Sequence, residues 1–205
     1  MSDAFICPNC GRETNFPIFH NLNITAEPRF KEEILSHRLF HFGCSCGFET
    51  EVVYPMLYHD MERKFMIFMI PDEDERVPEQ MRASLMPLAE QGYVFRLVRN
   101  VNELCEKILI GDADLDDTAV ELLKFVGEVP FKEDHPNLNL SGIYFQQDEQ
   151  GKNHIVFHTK EEDYALPFDT MQYDIVSEEL KKHEEEDVFF PEINRAWAEK
   201  ILWKK

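Results

Sequence analysis

Phe5-Ile6-Cys7-Pro8-Asn9-Cys10-Gly11 and Gly43-Cys44-Ser45-Cys46-Gly47 decide how this chain is read, because they hold four of its five cysteines in two tight pairs. Each pair is followed by a glycine, and thirty-three residues separate them. Zinc takes thiolates that arrive from several directions at about 2.3 Å. A cysteine pair on a sharp turn supplies two of them, and two such turns complete a tetrahedron. In the first turn Pro8 fixes φ, and Gly11 is free to take a positive φ just past the second thiol. In the second turn only Ser45 stands between the sulfurs, and an extended chain would throw them to opposite faces. That pair works only if Gly43 and Gly47 let the backbone fold sharply. Cys7, Cys10, Cys44 and Cys46 therefore read as the ligands of one zinc ion. A redox reading of Cys7 and Cys10 is weaker, because a redox pair wants its first thiol at a helix N-terminus and this one lies between two predicted strands.

Outward from the pairs, the pattern predicts strands near Ala4–Ile6 and Thr14–Phe19, extended chain at Asn23–Thr25, and a short helix over 29–35 behind Pro28. Leu39–Phe42 leads into the second turn. Phe48, Thr50, Val52 and Tyr54 alternate with Glu49, Glu51 and Val53 as in a half-buried strand, and Lys64–Ile70 is apolar enough for a central one. The expected product is a zinc-ribbon-like antiparallel sheet with one short helix over residues 1–70. Residues 71–78, charged and bounded by Pro71 and Pro78, read as a linker. Residues 79–205 then read as a helix-rich acidic region, completing an α+β fold. It has helices at 79–91 (bent at Pro87), 101–110, 116–126, 170–186 and 192–203, and strands at 93–98, 143–147, 154–159 and 164–168. A proline-bearing loop is expected at 128–142 and a hairpin turn at 148–153. Glu184–Asp187 is too short a run to be a disordered tail.

The residues around the pairs resemble the family named for its CpXC motif, a bacterial and archaeal group of uncharacterised molecular function. The likeness includes Phe5–Gly11, Leu22-Asn23-Ile24-Thr25, Leu39-Phe40-His41-Phe42, Tyr54–Glu62 and the apolar run from Phe65 to Pro71, and it extends through Arg96–Arg99 and Asp114–Asp117. The family's second pair carries a proline and one further residue between its cysteines. Here that turn is one residue short, which makes His41, three residues before Cys44, an alternative ligand.

Composition limits the partners. The net charge is −19 over 205 residues, and the 6 basic and 9 acidic side chains of residues 1–70 leave 15 basic and 31 acidic ones for the remainder. Nucleic-acid binding draws most of its affinity from Lys and Arg on phosphates, so direct DNA or RNA binding is disfavoured. The expected partner is another protein; the acidity could steer one with a basic surface, although solubility alone is the preferred explanation of it. No apolar run approaches a membrane span and the N-terminus lacks a signal-sequence pattern, so a cytoplasmic setting is expected, where reducing conditions keep thiols free for metal. Cys105 falls in an apolar helical pattern and reads as a buried small hydrophobe.

Other candidates are weighed against structural explanations. Tyr58-His59-Asp60-Met61-Glu62 gathers a base and two carboxylates and is favoured as a polar turn. In the alternative, a three-ligand zinc site with an open position activates water beside His59, Asp60 and Glu62, giving a hydrolase. Asp112, Asp114 and Asp116 have the first spacings of a calcium loop, but Asp117 stands where glycine is needed and Leu123 where a glutamate is needed. Capping of the following helix accounts for them. His154 and His158 are in phase on one strand. In the last helix Ile193, Ala196, Trp197, Ile201 and Trp203 are expected to share an apolar face with the Lys200 stem, either packing internally or docking a partner. With no nucleophile elbow, phosphate loop or metalloprotease motif present, a non-enzymatic, zinc-stabilised interaction module is the preferred reading.

Overall fold

The computed structural model describes residues 2–73, 75–182 and 188–203. The chain divides into two compact units, Met1–Cys105 and Glu106–Lys205. In the first, β1 (Ser2–Ile6) and β2 (Glu13–Pro17) form an antiparallel hairpin around the first cysteine turn. After β3 (Asn21–Asn23), α1 (Arg29–Leu35) starts directly behind Pro28, whose φ of −58° already suits a helix. It buries Phe30 and Ile34, four residues apart and so on one face. A single 3-10 turn at Arg38–Phe40 delivers the chain to β4 (His41–Gly43), which pairs antiparallel with β5 (Glu49–Glu51) around the second cysteine turn. β5 is shorter than the alternating pattern suggests, although the Val52 N–H still reaches back to the Phe40 carbonyl at 2.8 Å.

The α+β class is as expected, and both cysteine-bearing hairpins are antiparallel. The central sheet is mixed. It has the order β3-β6-β7-β8, built with β6 (Met56–Asp60), β7 (Phe65–Met69) and β8 (Val94–Val98). β6 and β7 run antiparallel, while β3–β6 and β7–β8 are parallel. Parallel neighbours need long crossovers. The first contains α1 and the whole second cysteine hairpin, and the second contains α2 (Glu79–Glu90), with Pro87 inside it. Residues 71–78, expected to separate two domains, thus lie in a connection between neighbouring strands of one sheet. Arg99 ties this segment back, its guanidinium donating to the carbonyls of Ile70, Asp72 and Glu75 at 3.1, 2.6 and 3.1 Å.

α3 (Val101–Asp112) spans the division between the units, and α4 (Asp117–Asp134) follows. α4 runs straight through the stretch expected to be a loop from residue 128. The hydrogen bond that Pro130 removes would have gone to the Val126 carbonyl, and Val126 is 50 % exposed, so water can serve it. Beyond the proline, buried Phe131 stacks on Phe157 with centroids 4.4 Å apart, which holds the last turn in place. β9 (Leu140–Gln147), β10 (Asn153–Thr159) and β11 (Asp163–Pro167) form an antiparallel sheet in the order β11-β10-β9. Its first turn is closed by Asp148, which accepts from the Gln150 and Lys152 N–H groups. α5 (Thr170–Leu180) is capped by Asp169, and α6 (Arg195–Trp203) ends the described chain. The acidic run at 184–187, and the last residues of the helix expected over 170–186, lie outside the described residues. α6 buries Ala198, and Ile193 is buried just ahead of the helix, whereas Ala196 is exposed and Trp203 is 72 % exposed, so the expected apolar face is not formed as such.

The second unit also buries charge. Asp117, Glu121, Lys124 and Glu128 follow one another at four-, three- and four-residue steps along α4, and all are buried, as a single helix face requires. Lys124 Nζ lies 2.8 Å from Glu106 and 2.7 Å from Glu121, and Lys107 Nζ lies 2.8 Å from Asp117. Glu106 also accepts the Phe145 N–H at 2.7 Å. Burial alone would lower the Lys124 pKa, but the two glutamates outweigh it and raise it. Burial raises the Glu121 pKa despite its lysine neighbours.

Candidate metal centre

The four sulfurs of Cys7, Cys10, Cys44 and Cys46 lie within 4.8 Å of one another, and no other such group of His, Cys, Asp and Glu occurs among the described residues. The shortest approaches join the two turns crosswise, with Cys7 to Cys46 at 3.7 Å and Cys10 to Cys44 at 3.7 Å. A tetrahedron with zinc–sulfur bonds of about 2.3 Å has sulfur–sulfur edges of about 3.8 Å. The quartet can therefore take a metal ion with little adjustment.

The two turns show how the missing residue is absorbed. In the first, the Cys7 N–H donates to the Arg12 carbonyl and the Gly11 N–H donates to the Cys7 carbonyl, both at 2.9 Å. In the second, the Cys44 N–H donates to the Phe48 carbonyl at 2.8 Å and the Gly47 N–H to the Cys44 carbonyl at 2.9 Å. Each bond of the second turn spans one residue fewer, so the shortening tightens the loop without undoing its form. Gly11 and Gly47 hold matching positive φ values of 70° and 87°, a backbone state that costs a side-chain-bearing residue energy. Gly43 has no positive φ. It is an ordinary β4 residue opposite Glu49, and only Gly47 supplies the reversal.

The first turn also reaches across to the second. The Asn9 amide donates to Cys46 Sγ at 3.5 Å, and the Arg12 guanidinium donates to the Ser45 hydroxyl. On the strands that carry the turns, the Phe5, Phe16 and Phe42 rings pack with centroids 4.4 to 6.3 Å apart. Cys7 and Cys44 are buried while Cys10 and Cys46 are exposed. Hydrogen bonds from the Asn9 amide and then the Phe48 backbone N–H favour the Cys46 thiolate, lowering its pKa to about 6. At Cys10 the Arg12 backbone N–H pulls the same way, but the Cys46 thiol, desolvation and the other two thiols push the pKa up to about 11. Four close thiols cannot all ionise without a cation, and a divalent metal would supply one.

The remaining candidates fall elsewhere. His41 is exposed on β4 and stands outside the sulfur group, which closes without it. His59 Nε2 lies 3.4 Å from the Tyr93 hydroxyl, and burial lowers its pKa against the opposing charge of Asp60. Asp60 is buried and accepts the Glu62 and Arg63 N–H groups at 3.1 and 3.0 Å, so it shapes the β6–β7 turn. Neither His59, Asp60 nor Glu62 belongs to the sulfur group. Asp116 caps α4 by accepting the Thr118 N–H at 2.9 Å. His154 pairs with Asp148 at 3.1 Å and His158 with Asp163 at 2.9 Å, so the two histidines serve separate partners. Cys105 is buried with its thiol donating to the Ile34 carbonyl at 3.5 Å, and burial, then the Glu51 charge, push its pKa up to about 12. The buried ions of α4 escaped the sequence reading. Their signal was charge at the four-, three-, four-residue steps of one face, which a solvated face shows equally.

A family model described as CpXC protein matches residues 5–124, which is more than half the chain and includes all four paired cysteines. The chain belongs to the CpXC family. No curated protein and no solved structure matches it. No described helix is long and apolar enough to cross a membrane.

Proposed function

We propose that this CpXC protein is a non-enzymatic docking module whose first unit is held together by one zinc ion on Cys7, Cys10, Cys44 and Cys46. The observation that carries this reading is the pair of 3.7 Å sulfur contacts between the two turns, each close to the edge of a zinc–thiolate tetrahedron. Four protein ligands make a closed, structural site. Two hairpins of five- and three-residue strands bury little by themselves, and metal binding of this kind contributes on the order of 10 kcal/mol to folding at neutral pH. Tetrahedral thiolate coordination favours zinc over harder cations. A reducing cytoplasmic setting would keep the thiols available, and the acidic surface suits a protein partner with a basic surface. Hydrolysis beside His59 is not proposed, since four thiolates leave no position for water and His59 contacts Tyr93.

Metal analysis of the purified chain tests this directly. One zinc per chain is expected, and cobalt substitution should give the intense visible bands of a tetrahedral thiolate site. A metal-free protein whose hairpins stay folded in chelator would overturn the reading. Affinity for duplex DNA that weakens with salt would count against the protein-docking half.

A further inference from the structure

A cleft of about 320 Å3 lies in the first unit, bordered by Thr14–Pro17 of β2 and His41–Gly43 of β4. Buried Phe16, Phe30 and Phe42 give it an aromatic floor. Side chains alternate between the two faces of a strand, so a cleft bordered by consecutive residues of both parities meets each strand along its edge. Neither β1 nor β5 borders it. The edges concerned are therefore those that β2 and β4 turn away from their hairpin partners.

Ladder parity identifies the groups on those edges. Antiparallel residue pairs alternate between pairs that exchange both hydrogen bonds and pairs that exchange none. The Cys7 to Arg12 bond sets the phase of the first hairpin, so Thr14 and Phe16 bond to β1 while Asn15 turns its N–H and C=O outward. The Cys44 to Phe48 and Val52 to Phe40 bonds set the second, so Phe42 bonds to β5 while His41 and Gly43 turn theirs outward. The His41 N–H closes the preceding 3-10 turn by donating to the Arg38 carbonyl. Among the described residues, the outward groups of Asn15 and Gly43 and the His41 carbonyl have no hydrogen-bond partner. Two open strand edges flanking one apolar floor match the requirements of an extended main chain, whose donors and acceptors satisfy the edges while alternate side chains enter the floor.

Charge narrows the occupant. In a chain of net −19, this cleft is lined by Arg29 and Arg38 against the single acid Glu33. Both arginines are exposed and make surface ion pairs, Arg29 with Glu27 at 3.5 Å and Arg38 with Glu32 at 2.9 Å, and the Arg29 guanidinium also lies over the Phe30 ring, 4.4 Å from its centroid. Such pairs are weak enough to exchange for a ligand carboxylate.

We propose that the cleft between β2 and β4 takes an extended acidic segment of a partner protein as an added strand, with apolar side chains at alternate positions seated on Phe16, Phe30 and Phe42. This rests on the docking-module reading and supplies its surface, and it is compatible with a partner whose wider surface is basic. The cysteine turns close the same two hairpins at one end, so a bound metal would hold the two edges in register.

The test uses the zinc-loaded full chain and synthetic heptapeptides with glutamate at odd positions and valine, leucine or phenylalanine at even ones. Saturable binding should slow amide exchange about tenfold or more at Asn15 and Gly43, while Thr14 and Phe42, already bonded inward, and His41, whose N–H already donates to the Arg38 carbonyl, stay unchanged. A proline whose missing N–H faces outward is tolerated on an edge strand, so Asn15→Pro should keep its zinc and weaken binding about fivefold. The double variant Arg29→Glu, Arg38→Glu should weaken the glutamate peptides and strengthen analogues carrying lysine. Zinc present but no saturable binding by any glutamate peptide overturns the cleft proposal alone, whereas a chain without zinc overturns the reading beneath it. Tighter binding of the lysine analogues by the unmodified chain, or protection that bypasses the Asn15 and Gly43 amides, also overturns the proposal.

Discussion

Cys7 and Cys44 in the first unit and Glu106, Glu121 and Lys124 in the second are all buried, yet they meet the cost of burial differently. The first unit places its reactive groups on two turns whose flanking strands carry packed aromatic rings, and its sulfurs have only one another and a few amide donors as partners. The second unit neutralises its interior charges internally, lysine against carboxylate, at separations of 2.7 to 2.8 Å. A thiolate cluster needs a cation from outside, while carboxylates that have lysines at hydrogen-bonding distance do not. Stability should therefore depend on the surroundings in one unit and on internal pairing in the other.

The strongest challenge to this contrast is removal of metal. Chelation should release the β1–β2 and β4–β5 hairpins, a loss on the order of 10 kcal/mol, while amide protection in β9–β11 persists. Cys10→Ser should act in the same direction. Hydrogen exchange resolved by residue would show the effect, and equal loss in both units would break the distinction.

Next in size is Lys124→Met, which leaves Glu106 and Glu121 buried without their shared cation and should cost about 3–5 kcal/mol at neutral pH. The Glu121 carboxyl is already raised by burial, and without Lys124 it rises further. A carboxyl whose folded pKa lies above its unfolded value destabilises the fold when ionised, and this penalty fades as pH falls through the folded pKa. The variant's deficit should shrink on acidification, as denaturant titrations at neutral and mildly acidic pH would reveal. Zinc content should not change.

Glu128, on the same helix, provides the opposite sign. Burial pushes its carboxyl up, but hydrogen bonds from Arg195 and Lys132 outweigh that and leave it lowered. Its contribution is present above the ordinary carboxylate range and disappears as pH falls through the lowered folded value. Arg195→Ala should therefore cost about 1 kcal/mol at neutral pH, and the difference from the parent should vanish in acid. A deficit that grew in acid would contradict the assignment. An effect of comparable size is expected for Cys105→Ser. A hydroxyl replaces a thiol that already donates to the Ile34 carbonyl, so about 1–2 kcal/mol should be lost, with no loss of metal. Loss of metal from this variant would show that Cys105 supports the centre.

Much of the local structure was legible without coordinates. Pro28 announced α1, Asp148–Asn153 announced the β9–β10 turn, and the paired cysteines with Gly11 and Gly47 announced two matching turns. Each depends on φ preferences or on side chains reaching backbone a few residues away. The β7–β8 pairing was not legible, because a charged segment bounded by prolines looks the same whether it separates domains or joins neighbouring strands of one sheet. Gly43 was assigned a bend it does not make, since the compensation for the missing residue lies in hydrogen bonds that each span one residue fewer.

The sequence by itself determined the family, the sulfur quartet as the place to look for a metal, the α+β class and most of the short elements. These depend on residue type and close spacing. Only the tertiary structure decided that the shortened turn brings Cys46 to within 3.7 Å of Cys7, that a charged stripe on α4 is interior, and that the open edges of β2 and β4 border one cleft. In each case the partner comes from a distant part of the chain. A thiolate, a lysine or a backbone amide has the same chemistry wherever it stands, and what it contributes is set by the groups that folding brings within about 3 to 4 Å of it.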